Sequence, residues 1–341
     1  MSLFAEMPAG TRPMAAWPTS RTTVVGVMGF PVRHSLSPLL HNAAFGVMGL
    51  DWSYVAFEVP PGSLEGAVAG AAMLGLRGLS VTMPHKDAAS RLAGRRSSRV
   101  RRLGAANTLV FEDGAVFAEN SDGDGLLDDL REGARFDPAG RRCGVIGAGG
   151  AGRAAVLALA EAGAEQIIIV NRTVTPAWRS AALAPKVARV GRPVELCDLD
   201  LIVQATPVAM TSQDHSKEPP AVDAPIEGAS AAVAGVDPSR FGAGQLVVDL
   251  VYDPPLTPFL LEARRQGATT RNGLGMLVHQ AAHQIRLWTG SQPPLGVMWA
   301  VVGGDELRAG GTGPAPEAGG AGEAGEAGTA GSSGEAGVPP A

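Results

Sequence analysis

The feature that most constrains this 341-residue chain is the glycine-rich run VIGAGGAG at residues 145–152. Its glycines fit the pattern G-x-G-x-x-G, an apolar segment precedes it, and the alanine-rich residues 153–162 favour a helix after it. In that pattern Gly147 allows a tight turn, Gly149 lets the backbone approach a pyrophosphate, and Gly152 lets helix and strand pack closely. The amides at the start of the helix would then receive phosphates. This context predicts a dinucleotide-binding βα unit, while a tight βα turn without a ligand is the simpler alternative.

The overall composition indicates a soluble cytoplasmic protein of about two domains. With 28 basic and 33 acidic residues, the net charge of −5 gives no reason to expect nucleic acid as a partner. The arginine-rich residues 91–102 carry no interleaved aromatic side chain, so a solvated helical face is expected there. Two cysteines, Cys143 and Cys197, are too few for a disulfide framework. No apolar run reaches the ~18 residues of a membrane span, and residues 1–20 do not resemble a signal peptide.

The first part of the chain predicts an α/β unit. Ser37 followed by Pro38 is typical of an N-cap and first helical residue, with the helix running to about residue 48. Asp113-Gly114 predicts the turn of a hairpin. The strand candidates are residues 22–29, 52–59, 78–83, 107–112 and 115–119, with a further helix at residues 63–74.

Residues 142–271 predict a second α/β unit, reached through a linking helix at residues 126–132. Residues 210–244 have no clear pattern, and from residue 275 the apolar spacing becomes helical. A final short helix should end near residue 302. The glycine-rich residues 309–341 lack large apolar side chains and predict a disordered tail. The strand candidates of this unit are residues 143–146, 166–170, 201–205, 246–249 and 268–271.

The choice of dinucleotide is indicated by Asn171-Arg172-Thr173, which follows the second strand of this unit. An acidic residue at that place would accept hydrogen bonds from a ribose 2′-hydroxyl, whereas an arginine with hydroxyl and amide neighbours favours a 2′-phosphate. An ordinary surface arginine is the alternative. We therefore predict NADP rather than NAD.

Two charged residues are candidates for catalysis. Lys86 should lie in the first turn of a helix, where the helix dipole disfavours a cation by about 0.3–1 kcal/mol. A lysine at such a position suggests proton transfer. Asp122 should also begin a helix, where a simple N-cap is the alternative role. Only contact between the two across the fold would distinguish these roles.

No metal site is predicted. His279 and His283 are four residues apart, but the intervening residues lack the glutamate of H-E-x-x-H and no third ligand is evident. Residues 120–125 resemble the start of a calcium loop, but Arg131 occupies the position where that loop requires a glutamate.

Taken together, eight motifs between residues 22 and 302 resemble the shikimate dehydrogenase family. They are GFPVRHSLSP at residues 29–38 with His41 and Asn42, SVTMPHK at 80–86, GAANTL at 104–109, NSDG at 120–123, the glycines at 147–152, NRT at 171–173, VDLVYDP at 248–254 and NGLGMLVHQA at 272–281.

The resemblance implies an α/β fold with an N-terminal substrate domain, a Rossmann NADP domain, a cleft between them, and C-terminal helices packing back on the first domain. The expected limits are a leader at residues 1–20, a substrate domain at 21–125 completed by 275–303, a cofactor domain at 126–274 and a tail at 304–341. The implied reaction is the reversible NADP-linked reduction of 3-dehydroshikimate to shikimate in aromatic amino-acid biosynthesis, by a monomer or homodimer.

Carried over by motif, Lys86 and Asp122 would be the catalytic pair, with the ammonium donating toward the developing alkoxide. The substrate would be held by Ser35 and Ser37 at its carboxylate and by Thr82, Asn107, Tyr252, Gln280 and Ser80 around its ring. The cofactor would be held by Gly147, Ala148, Gly149, Gly150, Ala151, Gly152, Asn171, Arg172, Thr173, Thr206, Gly273 and Met276.

Three departures from the family pattern leave alternatives open. Ser80 stands where the family usually has asparagine, and Ser121 where it usually has threonine. Near Pro176 only Arg179 is available as a second phosphate ligand. Quinate or an amino analogue as substrate, NAD as cofactor, and a catalytically silent NADP-binding regulator are the competing interpretations.

Overall fold

The computed structural model describes residues 18–210 and 231–303, and within them it contains two six-stranded sheets. The first sheet has the order β2-β1-β3-β5-β6-β4. Strand β1 pairs in parallel with β2 and β3, whereas β5 is antiparallel to both β3 and β6. Its strands are β1 (Thr23–Gly29), β2 (Trp52–Glu58), β3 (Gly78–Val81), β4 (Arg95–Arg96), β5 (Thr108–Glu112) and β6 (Ala115–Glu119); its helices are α1 (Ser37–Val47), α2 (Leu64–Met73), α3 (Lys86–Leu92) and α4 (Ser98–Leu103).

The second sheet is parallel throughout and has the order β12-β11-β10-β7-β8-β9. The strand order reverses between β7 and β10, and in such doubly wound sheets ligands bind in the crevice beyond the carboxyl ends of the strands at that point. Its strands are β7 (Arg142–Ile146), β8 (Gln166–Val170), β9 (Ala188–Val190), β10 (Leu201–Gln204), β11 (Leu246–Asp249) and β12 (Thr269–Arg271); its helices are α6 (Gly150–Glu161), α7 (Val174–Ala181) and α8 (Pro258–Arg265).

Two helical segments join the sheets. Helix α5 (Asp122–Asp128) continues into a π-helical turn (Asp129–Gly133), and α9 (Leu274–Thr289) is followed by α10 (Leu295–Ala300). Helix α9 packs along α5, and its buried face, including Ile285 and Trp288, joins the core of the first sheet. The indole of Trp288 donates to the carbonyl of Leu109 in β5 at 3.1 Å. The prediction of C-terminal helices that pack back on the first unit is therefore confirmed, as is the α/β fold class.

The hydrophobic core lies on both faces of each sheet. Each sheet has a layer of buried aliphatic side chains on both faces, as expected for parallel strands covered by helices. Of the helices in residues 18–210 and 231–303, none is long and apolar enough to cross a membrane.

The arginine-rich residues 91–102 do not form the single helical face that the sequence suggested. Helix α3 ends at Leu92, β4 pairs with the edge strand β6, and α4 then begins at Ser98. A two-residue strand is too short to show the alternation of apolar and polar residues that predicts a strand. Its pairing with β6 therefore determines its conformation. Two of the arginines form ion pairs with neighbouring helices, Arg99 with Asp124 and Arg102 with Glu161.

Three smaller predictions also need correction. The edge strand β9 was not predicted, since three residues give no alternation. Helix α1 begins at Ser37 rather than Pro38, because Leu40 N–H already bonds to the carbonyl of Leu36 at 3.1 Å. The linking helix is continuous with the helix predicted to begin at Asp122, so the two form one segment. The leader (apart from residues 18–20), the tail from residue 304, and residues 211–230 of the unassigned segment lie outside the described residues.

Candidate active site

A cavity of about 390 Å³ opens between the two sheets, within the usual size range of small-molecule sites. Side chains from both units line it, with α3, α5 and α9 on the side of the first sheet and the residues after β10 and β11 on the side of the second. All nine residues predicted to act on or bind the substrate line this cavity, namely Lys86, Asp122, Ser35, Ser37, Ser80, Thr82, Asn107, Tyr252 and Gln280. Four of the predicted cofactor residues also line it, namely Ala151, Thr206, Gly273 and Met276.

The predicted catalytic residues are in contact. Lys86 is the first residue of α3 and Asp122 the first residue of α5. Lys86 Nζ donates to Asp122 Oδ2 at 2.7 Å, and the two side chains are 17% and 4% exposed. The ammonium has no second hydrogen-bond partner within residues 18–210 and 231–303, so its other two N–H groups can interact with a molecule in the cavity. Asp122 is therefore more than an N-cap, and the pair can hold and deliver a proton.

Asn107 holds the second oxygen of the Asp122 carboxylate. Its Nδ2 donates to Asp122 Oδ1 at 2.8 Å, and its Oδ1 accepts from Ser121 N at 2.9 Å and from the Thr108 hydroxyl at 2.8 Å. Because both ends of the Asn107 amide are bonded, the carboxylate is fixed in direction. Asp122 thus accepts a hydrogen bond on each carboxylate oxygen, from Lys86 and from Asn107.

Hydroxyl groups form one end of the cavity. Ser35 Oγ accepts from Ser37 N at 3.2 Å, and Ser37 is buried at the start of α1. Burial raises the pKa of the Tyr252 hydroxyl, while hydrogen bonds from the Leu36 backbone and the Ser35 side chain oppose that rise. Neutral hydroxyl donors of this kind suit a carboxylate group.

The wall beside α9 contains residues that the sequence analysis did not single out. Gln284 is buried and lines the cavity, and its Oε1 accepts from Ser80 Oγ at 2.7 Å. Ser80 Oγ in turn accepts from the Tyr54 hydroxyl at 2.8 Å. The ring of His41 stacks on Tyr54 at 4.0 Å, and burial lowers the pKa of His41 to about 4. Gln284 lies four residues after Gln280, so the helical period alone could have placed both on one face.

The glycine-rich turn has the geometry expected of a phosphate cradle. Gly147 has a φ of +108°, and a Cβ on Gly152 would lie 2.1 Å from the carbonyl oxygen of Gly147. A Cβ on Gly149 would meet no atom within 4 Å, so the open side of the turn has room for a ligand. The turn leads into the twelve-residue helix α6, whose first amides face that space. The residues present therefore fit a dinucleotide.

The glycine turn lies directly against Lys86 of the predicted catalytic pair. A Cβ on Gly150 would lie 3.2 Å from Lys86 Cδ. Beside it, Arg153 on α6 forms an ion pair with Asp87 on α3, which links the two units at the cleft. A nucleotide bound along the turn would thus end next to the Lys86 ammonium.

Asn171, Arg172 and Thr173 lie beyond the carboxyl end of β8. Asn171 Oδ1 accepts from Ala148 N at 3.2 Å, and its Nδ2 donates to the carbonyl of Thr173 at 2.8 Å. Asn171 thereby connects this segment to the glycine turn. Arg172 and Thr173 are exposed, with side chains available to a charged group on the nucleotide.

Comparison with known proteins agrees with this geometry. Residues 27–109 match the shikimate dehydrogenase substrate-binding domain, residues 133–230 the shikimate/quinate 5-dehydrogenase family, and residues 273–302 the shikimate 5′-dehydrogenase C-terminal domain. The NADP+-dependent shikimate dehydrogenase of Methanopyrus kandleri is 45% identical over 289 residues, covering 82% of this chain and 94% of its own.

Solved structures give the same result. A shikimate dehydrogenase in complex with NADP+ is 34% identical with a TM-score of 0.73, over 85% of this chain and 98% of its own. The shikimate 5-dehydrogenase of Listeria monocytogenes, in complex with shikimate and NAD, is 29% identical with a TM-score of 0.72, over 84% of this chain and 99% of its own. The chain therefore belongs to the shikimate dehydrogenase family.

Proposed function

We propose that this protein is an NADP-dependent shikimate dehydrogenase, which reversibly reduces 3-dehydroshikimate to shikimate in aromatic amino-acid biosynthesis. The observation that carries this proposal is the Lys86–Asp122 pair, with 2.7 Å between Nζ and Oδ2, placed between a cavity and the glycine turn. The names of the relatives support the same activity. As an enzyme of this pathway we place it in the cytoplasm.

In the proposed reaction the protein supplies the proton and the electrostatic stabilisation. When bound, NADPH supplies the hydride that the ring ketone receives. The Lys86 ammonium donates a proton toward the developing alkoxide, a contribution that is typically about 10²–10⁴-fold in rate. Asp122 holds the ammonium in direction and accepts a hydrogen bond from the reacting hydroxyl in the reverse reaction. Because both charges are fixed before the substrate binds, little reorganisation is needed in the transition state.

The remaining cavity residues would bind the substrate. Ser35 and Ser37 are positioned to donate to the carboxylate at one end of the cavity. The ring hydroxyls would lie against the polar groups of the opposite walls. These groups belong to Thr82, Asn107, Tyr252, Gln280 and Ser80.

The cofactor would extend from the cavity along the glycine turn. Gly147, Ala148, Gly149, Gly150, Ala151 and Gly152 would cradle the pyrophosphate. Arg172, with Asn171 and Thr173, would bind the 2′-phosphate, since an arginine and its polar neighbours match a dianionic group. Thr206, Gly273 and Met276 would contact the nicotinamide half.

We also propose that the two sheets correspond to two domains. All strands of the first sheet lie between Thr23 and Glu119, and all strands of the second between Arg142 and Arg271. This is consistent with a substrate domain at residues 21–125 completed by 275–303 and a cofactor domain at 126–274.

The test is an absorbance assay of the reduced nicotinamide with shikimate and quinate, each paired with NADP+ and NAD+. The proposal expects the highest kcat/KM for shikimate with NADP+. A preference for quinate with NAD+ would favour the second candidate, a quinate/shikimate dehydrogenase, for which Ser80 and the NAD complex of the Listeria relative are the supporting observations. No turnover with any pair would contradict both of these enzyme candidates.

A further inference from the structure

Helix α9 presents two glutamines, one turn apart, to the cavity. Gln280 and Gln284 both line it, and they are 9% and 1% exposed. Gln284 Nε2 donates to Gln280 Oε1 at 2.9 Å and to the carbonyl of Asn107 at 3.4 Å. A buried carboxamide is costly to misplace, because each donor or acceptor left without a partner keeps the full cost of its removal from water. The side chain is therefore held in one orientation.

The direction of these hydrogen bonds can be deduced from Asp122 outward. Ser121 N–H can only donate and the Asp122 carboxylate can only accept, so Asn107 must turn its oxygen to the first and its nitrogen to the second. The same nitrogen of Asn107, which also lies 3.0 Å from Ser121 Oγ, is 3.3 Å from Gln280. Gln280 presents its Oε1 there, because its Nε2 would face another nitrogen and because Nε2 donates to the carbonyl of Leu277.

The deduction continues along α9. Since Gln280 Oε1 accepts, the atom of Gln284 that bonds to it must be the Nε2 donor, which leaves Gln284 Oε1 as an acceptor for the Ser80 hydroxyl at 2.7 Å. Ser80 Oγ also accepts from the Tyr54 hydroxyl. Every bond from Asp122 to Tyr54 thus has one direction, determined at the carboxylate.

Two groups of this network remain available to the cavity. Gln280 Nε2 uses one N–H on the carbonyl of Leu277 at 3.1 Å, and no partner for the other occurs among the described residues. Ser80 has given its hydroxyl proton to Gln284 and one lone pair to Tyr54, so only one acceptor site is left. The wall consequently presents a donor at Gln280 and an acceptor at Ser80.

We propose that Gln284 is a positioning residue that extends this donor–acceptor order from Gln280 to Ser80 and thereby selects the ring hydroxyls of the substrate. It acts through Gln280 and Ser80 and does not touch the reacting atoms. The inference rests on the proposed function, since it assumes a hydroxylated ring in the cavity. Without Gln284, Gln280 Oε1 keeps only its bond from Asn107, and the Ser80 hydroxyl loses its acceptor. Ser80 can then donate to a ligand, so the wall no longer discriminates between ring hydroxyls.

The test compares binding of shikimate with that of its 3-deoxy and 4-deoxy analogues, measured by calorimetry without nucleotide. For the wild-type protein we expect at least one analogue to bind about tenfold more weakly than shikimate, as for a lost hydrogen bond of about 1.4 kcal/mol. In Gln284→Met this ratio should fall to within about threefold. The KM for shikimate should rise about tenfold while kcat stays within about threefold, because the Lys86–Asp122 pair is unchanged.

The matched control is Gln245→Met. Gln245 is also buried, and its amide donates to the carbonyl of Leu199 at 2.8 Å, but it does not line the cavity. Both variants should lose stability, whereas only Gln284→Met should lose the difference in affinity between shikimate and its deoxy analogues. If Gln284→Met does not fold, Gln284→Glu serves instead, since a carboxylate cannot donate to Gln280 and should show the same loss at neutral pH.

Unchanged discrimination in the Gln284 variants, with wild-type protein that turns over shikimate, would overturn the inference and leave the proposed function intact. Failure of the wild-type protein to bind or turn over shikimate would overturn the proposed function, and the inference with it.

Discussion

The Lys86 ammonium lies 2.7 Å from Asp122 Oδ2, and each residue is the first of its helix. The two helix dipoles act on them in opposite ways, because the N-terminus of α3 disfavours a cation and the N-terminus of α5 favours an anion. The ion pair offsets the unfavourable position of Lys86. A cation kept at a helix N-terminus by a buried carboxylate, at the edge of a cavity, supports the proposed proton transfer by Lys86.

Lys86→Ala should lower kcat for shikimate oxidation by about 10²–10⁴-fold, since the general acid and base is lost. Binding of shikimate, measured by calorimetry, should change far less, because the carboxylate and ring contacts remain. Lys186→Ala, which removes an exposed lysine of the cofactor unit, is the control and should keep normal turnover. Near-normal turnover of Lys86→Ala would show that the assignment is wrong.

Arg172→Ala should raise the KM for NADP+ by about 10–100-fold, as expected when a charge-assisted hydrogen bond of about 1.5–3 kcal/mol is lost. The KM for NAD+ should change little, because NAD+ lacks the 2′-phosphate. Steady-state kinetics with both nucleotides measures the two KM values and hence the change in nucleotide preference. The exposed Arg192 gives a control arginine, and equal effects of Arg172→Ala on both nucleotides would contradict the assignment.

Gly152→Ala should destabilise the protein by about 1–3 kcal/mol and weaken nucleotide binding, because its Cβ would lie 2.1 Å from the Gly147 carbonyl oxygen. Gly66→Ala is the matched control. Gly66 lies inside α2 with no atom within 4 Å of an added Cβ, so alanine should stabilise that helix by up to about 1 kcal/mol. Thermal unfolding with and without NADP+ measures both changes in stability, the expected loss for Gly152→Ala and the expected gain for Gly66→Ala.

Arg271→Met should cost about 3–5 kcal/mol of stability, because it leaves the Asp129 carboxylate buried without its charged partner. Arg271 Nη2 lies 2.6 Å from Asp129 Oδ1, and the side chains are 3% and 1% exposed. The double variant Arg271→Met/Asp129→Leu should be less destabilised than the sum of the two single variants. Additive losses in denaturant unfolding would mean that the two charges are not coupled.

Asp249 should make stability fall as pH rises from about 4 to 6. Burial raises the pKa of this carboxyl to about 6, against the lowering effect of hydrogen bonds from Val251 N–H and the side chains of Thr257 and Gln204. In that interval the native protein holds a proton that the unfolded chain has released, so deprotonation of Asp249 costs stability, on the order of 2 kcal/mol. The loss should be complete above about pH 7.

Asp249→Asn should remove this contribution. The difference in unfolding free energy between wild type and variant should therefore decline between pH 4 and 6 and stay constant above pH 7. A constant difference across the whole range would mean that the native carboxyl titrates as in the unfolded chain.

Much of the fold could be predicted from local patterns. The hairpin at Asp113-Gly114 and the strands β8 and β11 lie where the sequence placed them, since turn residues and runs of β-branched side chains act over a few positions. The strands β4 and β9 could not be predicted, because two or three residues are too few to show the alternating pattern of a strand. The neighbouring strand determines their pairing.

The sequence by itself determined the glycine turn, the polar segment after β8 and the family to which the chain belongs, because each of these depends on residues close together in the chain. Only the tertiary structure decided that Lys86 contacts Asp122, 36 positions away, and that Gln284 reaches the carbonyl of Asn107 across 177 positions. The first contact exists because α3 and α5 follow β3 and β6 of the same sheet, and the second because α9 returns to that sheet and packs along α5. The donor–acceptor order of the site is a property of that packing, since no local spacing brings those groups together.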